Sequence, residues 1–413
     1  MTPDYQIAIV GGGIWGLSTA MQIAGLNAGA STVLIERNHD LAEETTKQSA
    51  GQVGQLRGDP LLAKAVGITL DKLGRLESET GHDPGFVRSG SVHLALCDAR
   101  AEMFRRLAVA AEEQGCATEF IDGETLSALV PGVQCDEVVA ALHVPRDGYV
   151  DARRCALAFS QLAREGGVTM QCGQAVQSLR RSDNEWELQL PDQTLTAQKV
   201  IVAGGPWTRT LVQPLRFGVP AYPIRLQQSR TVEAGVSVHH PVVRLPDASC
   251  YMRPEKMGYL CGYFDPEPLP IQLGECSKVV CTADLQSDHA LAEKARGEMS
   301  RVIPRIAALQ VSEFRQGMMT CTPDGKFVIG PIPTHENLWV ATGCGGTGIA
   351  SCVAIGKWLA SWVVNGQPGD DLSVYDPSRF GDLARDDKWL CEAARKMSAA
   401  YYRLDSASAT QRK

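Results

Sequence analysis

The sequence predicts an α/β protein in which a Rossmann-type dinucleotide-binding domain is interleaved with a mixed-sheet α+β domain that would hold the substrate. Three observations carry this. An apolar run at residues 6–10 stands directly against Gly11, Gly13 and Gly16. Two later apolar runs also end in glycine turns, at Ala203-Gly204-Gly205 and from Gly343 to Gly348. Between these nucleotide-type segments lie stretches, 86–96 and 211–314, whose short alternating runs read as strands of another kind of sheet.

Taken in order, the first strand must turn sharply into a helix. Gly11 supplies the tight turn, Gly13 lets backbone N–H groups approach a pyrophosphate, and Gly16 lets helix and strand pack closely. Ile14, Leu17, Met21 and Ala24 form one apolar face over 14–25. A second strand at 31–35 ends in Glu36, whose carboxylate can accept both hydroxyls of an adenosine ribose and would repel a 2′-phosphate. Strand before, helix after and acid at this offset make a dinucleotide site, without separating NAD from FAD. Residues 86–96 read as strand, turn, strand, and 151–166 as a helix between an Asp151 cap and a closing glycine. Strands are expected at 168–172, 186–190 and 198–203, then short strands through 250–263 with one helix near 287–303. The run Leu338 to Thr342 enters a second glycine-rich turn, which offers unpaired N–H groups and a partial positive charge. A flavin needs this near N1 and the C2 carbonyl, where reduction places negative charge, and NAD does not.

Residues 348–364 are largely apolar, but Lys357 interrupts them and they fall short of a bilayer span, so a buried helix and no transmembrane segment are expected. A helix near 384–402 and a frayed tail follow. The expected division is 1–85, 147–210 and 315–383 for the nucleotide domain, 86–146 and 211–314 for the substrate domain, and 384–413 for a C-terminal helix and tail. The formal charge of −7 over 413 residues argues against a nucleic-acid partner. The first strand begins within a few residues of Met1, leaving no room for a signal peptide, so a cytoplasmic chain is expected. The 13 cysteines include no C-x-x-C pair and read as free, mostly buried thiols. His239 and His240 lack a third ligand at suitable spacing, so they read as a solvated loop pair and no metal is expected.

Together with Asp147-Gly148-Tyr-Val-Asp151, Ala203-Gly204-x-x-Trp207 and Tyr375-Asp-Pro-x-Arg-Phe380, these motifs make the chain resemble a known superfamily over residues 5 to about 380. It comprises the FAD-dependent amine and amino-acid oxidoreductases related to D-amino-acid oxidase and sarcosine oxidase. The segment Thr45 to Arg57 looks closest to the sarcosine and dimethylglycine dehydrogenase branch, whose following folate-binding domain has no expected counterpart here. The resemblance implies FAD held by Gly11, Gly13, Ile14, Trp15, Gly16, Glu36, Arg37, Gln48, Ser49, Ala50, Gly51, Val176, Ala203, Gly204, Trp207, Gly343, Gly345, Gly346, Thr347 and Gly348. In that branch a histidine stands where this chain has Gln48, and monomeric sarcosine oxidases place a cysteine where it has Gly317. Those residues bond covalently to the flavin, so non-covalent FAD is expected.

The same resemblance points to Arg57 as the ligand of a substrate carboxylate, because a planar guanidinium can grip it through two parallel hydrogen bonds. Its usual lysine partner is replaced by Ala350, and Arg253 is the candidate substitute. Tyr251 and Tyr259 are candidates for the pocket wall. The implied reaction is oxidation of a C–N bond in a small amino acid or N-alkyl amino acid, with hydride passing to flavin N5 and the imine then hydrolysed. Leu260 stands where sarcosine oxidases carry an oxygen-activating lysine, which favours a dehydrogenase. The acceptor is left open among oxygen, a quinone and an electron-transfer protein. Alternatives are a C–O dehydrogenase of a 2-hydroxy acid or glycerol phosphate, and a flavoprotein subunit that needs partner subunits.

Overall fold

A computed structural model describes residues 3–273 and 280–403. The expected frayed tail at 404–413 lies outside the described residues. Strand Tyr5–Val10 sits at the centre of an eight-stranded sheet, parallel to Thr32–Ile35 on one side and Thr194–Val202 on the other. Helices cover it, so Ile7, Ala8, Ile9 and Val10 are all buried and the strand reads as an unbroken apolar run. The end of Thr194–Val202 pairs with Leu338–Thr342, which brings the second glycine turn to the same edge as the first.

Helix Ile14–Gly25 packs against both Ala152–Glu165 and Cys352–Asn365. Asp151 caps the former by accepting the N–H of Arg154 at 2.9 Å. Cys352–Asn365 is the buried apolar helix expected there, with Ile355, Trp358 and Leu359 enclosed and Lys357 on its exposed side. It crosses the first helix at Gly356, where a Cβ would lie 2.4 Å from Ser18 Oγ. Helix Pro60–Leu73, which the sequence motifs did not mark, covers part of the same core.

The second sheet is also eight-stranded, in the order Val311–Cys321, Tyr222–Thr231, Gly258–Tyr263, Cys250–Glu255, Val242–Leu245, Ser91–Ala95, Ala140–Val144, Glu119–Ile121. Only Val242–Leu245 and Ser91–Ala95 run parallel. Helix His289–Val302 lies over it through Ala295, Met299 and Val302. Strand Val311–Cys321 pairs with Tyr222–Thr231 as far as Cys321, so this sheet claims residues beyond the expected change at 315. Near the chain's end, Asp387–Ala399 is helical and capped by Asp386, which accepts the N–H groups of Lys388 and Trp389 at 3.0 Å.

Candidate active site

A cavity of about 350 Å³ is lined by both glycine turns, by the 45–57 segment and by strands of the second sheet. At the first turn Gly11 has φ +116°, and a Cβ there would stand 2.5 Å from the Ala203 carbonyl oxygen. At Gly16 a Cβ would meet the Gly11 carbonyl oxygen at 2.0 Å, so neither position admits a side chain. Gly16 does not reach the cavity wall; it lets the helix start where it does. The N–H of Ile14 is donated to Thr46 Oγ1 at 3.1 Å, whereas those of Gly13 and Trp15 find no partner among the described residues. Those free donors face the cavity.

Glu36 accepts the N–H of Gly12 at 2.6 Å on one oxygen and that of Asn38 at 2.9 Å on the other. Burial pushes its carboxyl above the usual range, with those N–H groups and Arg37 opposing the rise. Each oxygen keeps a lone pair for a ligand hydroxyl. Arg37 lies 3.8 Å over the Trp207 ring and is anchored by Glu44 at 2.6 Å, while Val176 and Ala203 complete this end.

The second turn is tied to the first helix, since Trp15 Nε1 donates to the Gly348 carbonyl at 2.8 Å. Its N–H groups are not all unpaired, contrary to expectation. Thr320 takes that of Cys344 on its hydroxyl at 3.0 Å and that of Gly345 on its carbonyl at 2.8 Å. Gly346 and Gly348 remain on the wall, while Gly343, Gly345 and Thr347 shape the turn from behind it. Thr347 spends its hydroxyl on the Cys344 carbonyl at 2.8 Å. Gln48, Ser49, Ala50 and Gly51 form the opposite side. A Cβ at Gly317 would be 3.5 Å from Gln48 Cβ, in van der Waals contact, so the two positions adjoin on the cavity wall.

Farther along, Arg57 and Tyr251 line the cavity. Arg57 donates from Nε to the Gly54 carbonyl at 3.0 Å and makes no ion pair among the described residues. Gly262 lets Tyr251 reach this position: the Tyr251 ring fills the space its Cβ would need. Two candidates are corrected. Arg253 is buried away from the cavity and committed, donating to the Ala50 carbonyl at 2.5 Å, the Pro254 carbonyl at 2.6 Å and Glu255 at 3.2 Å. Tyr259 faces the other side of the sheet and packs in the second core, edge to face with His240. That histidine is itself buried, its Nδ1 2.8 Å from the Pro241 carbonyl oxygen, so of the His239-His240 pair only His239 is solvated.

Sequence reasoning missed Arg244, Gln228, Phe264 and Tyr401, all on the cavity wall. Arg244 is the direct cross-strand partner of Tyr251, a signal that only the strand register supplies. Tyr401 lies near the end of the segment expected to be helical, just past the observed helix, and stacks on Phe264 with centroids 3.9 Å apart.

Residues 6–362 match the family described as FAD dependent oxidoreductase. The chain belongs to that family. This FAD-dependent oxidoreductase is 32% identical over 378 residues to a 4-methylaminobutanoate oxidase (formaldehyde-forming) of Paenarthrobacter nicotinovorans, covering 91% of this chain and 45% of the relative. It is 29% identical to a mitochondrial dimethylglycine dehydrogenase of Mus musculus, covering 91% and 44% respectively. The chain thus spans less than half the length of these curated relatives. Among solved structures, L-proline dehydrogenase from P. horikoshii superposes with a TM-score of 0.82 at 21% identity, covering 92% of this chain and 98% of that one.

The residues present fit FAD. The Gly11 cradle would be closed by any Cβ, and four buried side-chain atoms on the wall lack a partner: Trp207 Nε1, Gln174 Oε1, Gln52 Nε2 and Gln228 Oε1. Buried polar atoms are almost always satisfied, so such a set along one cavity marks where a polar ligand belongs. Among the described residues no helix is long and apolar enough to cross a membrane.

Proposed function

We propose that this flavoprotein oxidises a C–N bond in a small amino acid or N-alkyl amino acid, bound with its carboxylate toward Arg57. The observation that carries the reading is the cavity itself. It joins two glycine turns at one end to an unpaired guanidinium and aromatic side chains at the other. The names of the two curated relatives, acting on 4-methylaminobutanoate and dimethylglycine, supply the substrate class.

FAD, when bound, supplies a hydride acceptor at its isoalloxazine ring. The chain's own residues do the rest. The N–H groups of Gly13 and Trp15 would hold the pyrophosphate, Glu36 the ribose, and Gly346 and Gly348 the pyrimidine edge. Arg57 grips the carboxylate and so aims the adjacent carbon, while Tyr251, Phe264 and Tyr401 exclude water. The amine must react unprotonated. A nearby guanidinium and an apolar wall both disfavour the ammonium form, so no dedicated base is required. Leu260 is fully buried beside Tyr251 and Phe264, so the position itself carries no cation to assist oxygen. This favours an acceptor other than oxygen.

The test is anaerobic mixing of the holoenzyme with sarcosine, dimethylglycine, 4-methylaminobutanoate, lactate and glycerol 3-phosphate while the flavin absorbance is followed. Bleaching by N-methyl amino acids is expected, with slow recolouring once air is admitted. Bleaching by lactate or glycerol 3-phosphate alone would replace this reading with C–O chemistry.

A further inference from the structure

Four arginines are buried among the described residues: Arg100, Arg244, Arg253 and Arg296. Three of them meet a carboxylate. Arg100 pairs with Asp247 at 2.9 Å, Arg253 with Glu255 at 3.2 Å and Arg296 with Glu293 at 2.7 Å. Arg244, 6% exposed, has no ion pair among the described residues. Its one hydrogen bond among them runs from Nη1 to the phenolic oxygen of Tyr402 at 3.2 Å. A buried guanidinium with most of its donors uncommitted is costly unless an anion arrives. Arg244 lies on the cavity wall, opposite Tyr251 in the adjacent strand.

Asp147 is the buried acid of this region. Its two oxygens accept the N–H of Gln55 at 2.8 Å and the hydroxyl of Ser91 at 2.6 Å, and Arg57 and Arg244 both act on it from beyond pairing distance. His93, in the same region, has its imidazole pKa pushed well below the ordinary value by burial first and then by those two arginines. Two guanidiniums against one carboxylate leave one positive charge unbalanced. Tyr402 is fixed independently: Arg100 donates to its carbonyl at 2.6 Å, and its ring stands edge-on to Phe264 at 5.2 Å.

We infer that Arg244 is a second ligand of the substrate carboxylate beside Arg57, that Tyr402 is the residue positioning it, and that the site takes a monocarboxylate. This rests on reading the cavity as an amino-acid site. Carboxylate binding can be measured without turnover, so the two claims fail separately.

The holoenzyme is titrated with propanoate, malonate and propan-1-ol, following the flavin's visible spectrum. Propanoate should perturb it at lower concentration than either of the others. Arg244→Met should weaken propanoate binding by about 30-fold or more. Tyr402→Phe keeps the ring and loses the acceptor, so it should weaken propanoate binding by roughly 3- to 10-fold. The same variant should raise KM for the bleaching substrate by a like factor with a smaller change in kcat, while FAD retention and melting temperature hold. Arg244→Lys should recover part of the affinity that Arg244→Met loses. Unchanged propanoate affinity in Arg244→Met and Tyr402→Phe would overturn the assignment, as would malonate binding more tightly than propanoate. If propanoate binds as expected and no amine bleaches the flavin, the C–N reading falls and Arg244 keeps its role.

Discussion

Arg57 and Arg253 look alike as letters, yet the structure separates them by what each already holds. Arg57 borders the cavity with one backbone hydrogen bond, whereas Arg253 is enclosed by the Ala50 and Pro254 carbonyls and Glu255. Their alanine variants should therefore fail in different assays. Arg57→Ala should cost on the order of 2–5 kcal/mol in substrate binding, read as a rise in KM, with little loss of stability. Arg253→Ala leaves the Ala50 and Pro254 carbonyls short of a donor while Glu255 keeps Arg315, and should destabilise the fold by about 1–3 kcal/mol for each orphaned carbonyl in a urea titration. A normal melting curve for Arg253→Ala with a raised KM would reverse these assignments.

At the scale of elements, the pairing of Val311–Cys321 with Tyr222–Thr231 carries a charge ladder as well as backbone bonds. Glu313 lies between Arg315 at 2.6 Å and Arg230 at 3.0 Å. Hydrogen bonding to Arg315 comes first among the causes that hold its carboxyl down at about 2, against some loss of hydration and with help from Arg230. A carboxylate depressed on folding adds stability above its unfolded value, and that stability is lost as pH falls toward the folded value. The wild type should therefore be more stable than Glu313→Gln at pH 6, and the difference should fade between the ordinary 4.5 and about 2. The group is partly exposed, so salt should shrink the difference too. A stability gap independent of pH in urea unfolding would remove this ion pair from the account. Element positions were largely legible in the sequence, as at 14–25, 151–166 and 287–303. Helices Pro60–Leu73 and Asp98–Glu113 were not, the latter because its long polar face leaves only Arg100, Ala101, Phe104 and Ala111 buried.

For the molecule as a whole, FAD retention depends on segments that lie far apart in the chain. Gln48 and Gly317 adjoin on the cavity wall, and neither carries a nucleophile that could bond to a flavin. The cofactor should be held without a covalent bond, chiefly by the Gly11 cradle, Glu36 and the Gly346–Gly348 turn. Acid precipitation of the holoenzyme should release the yellow colour to the supernatant. Colour kept in the pellet would mean a covalent link from another residue.

The glycine turns, the acid at 36 and the alternation of nucleotide-type and sheet-type segments were readable because each depends on residues near one another in sequence. A tight turn needs its glycine wherever it occurs. Strand alternation puts Tyr251 and Arg253 on one face, but does not tell how far along that face a cavity extends. Only the tertiary structure decided that. The register sets Arg244 opposite Tyr251, the loop at Ala50 covers Arg253, and the C-terminal helix brings Tyr401 and Tyr402 against Phe264. These contacts join residues from distant segments, and no local pattern encodes which guanidinium is left without a counter-charge.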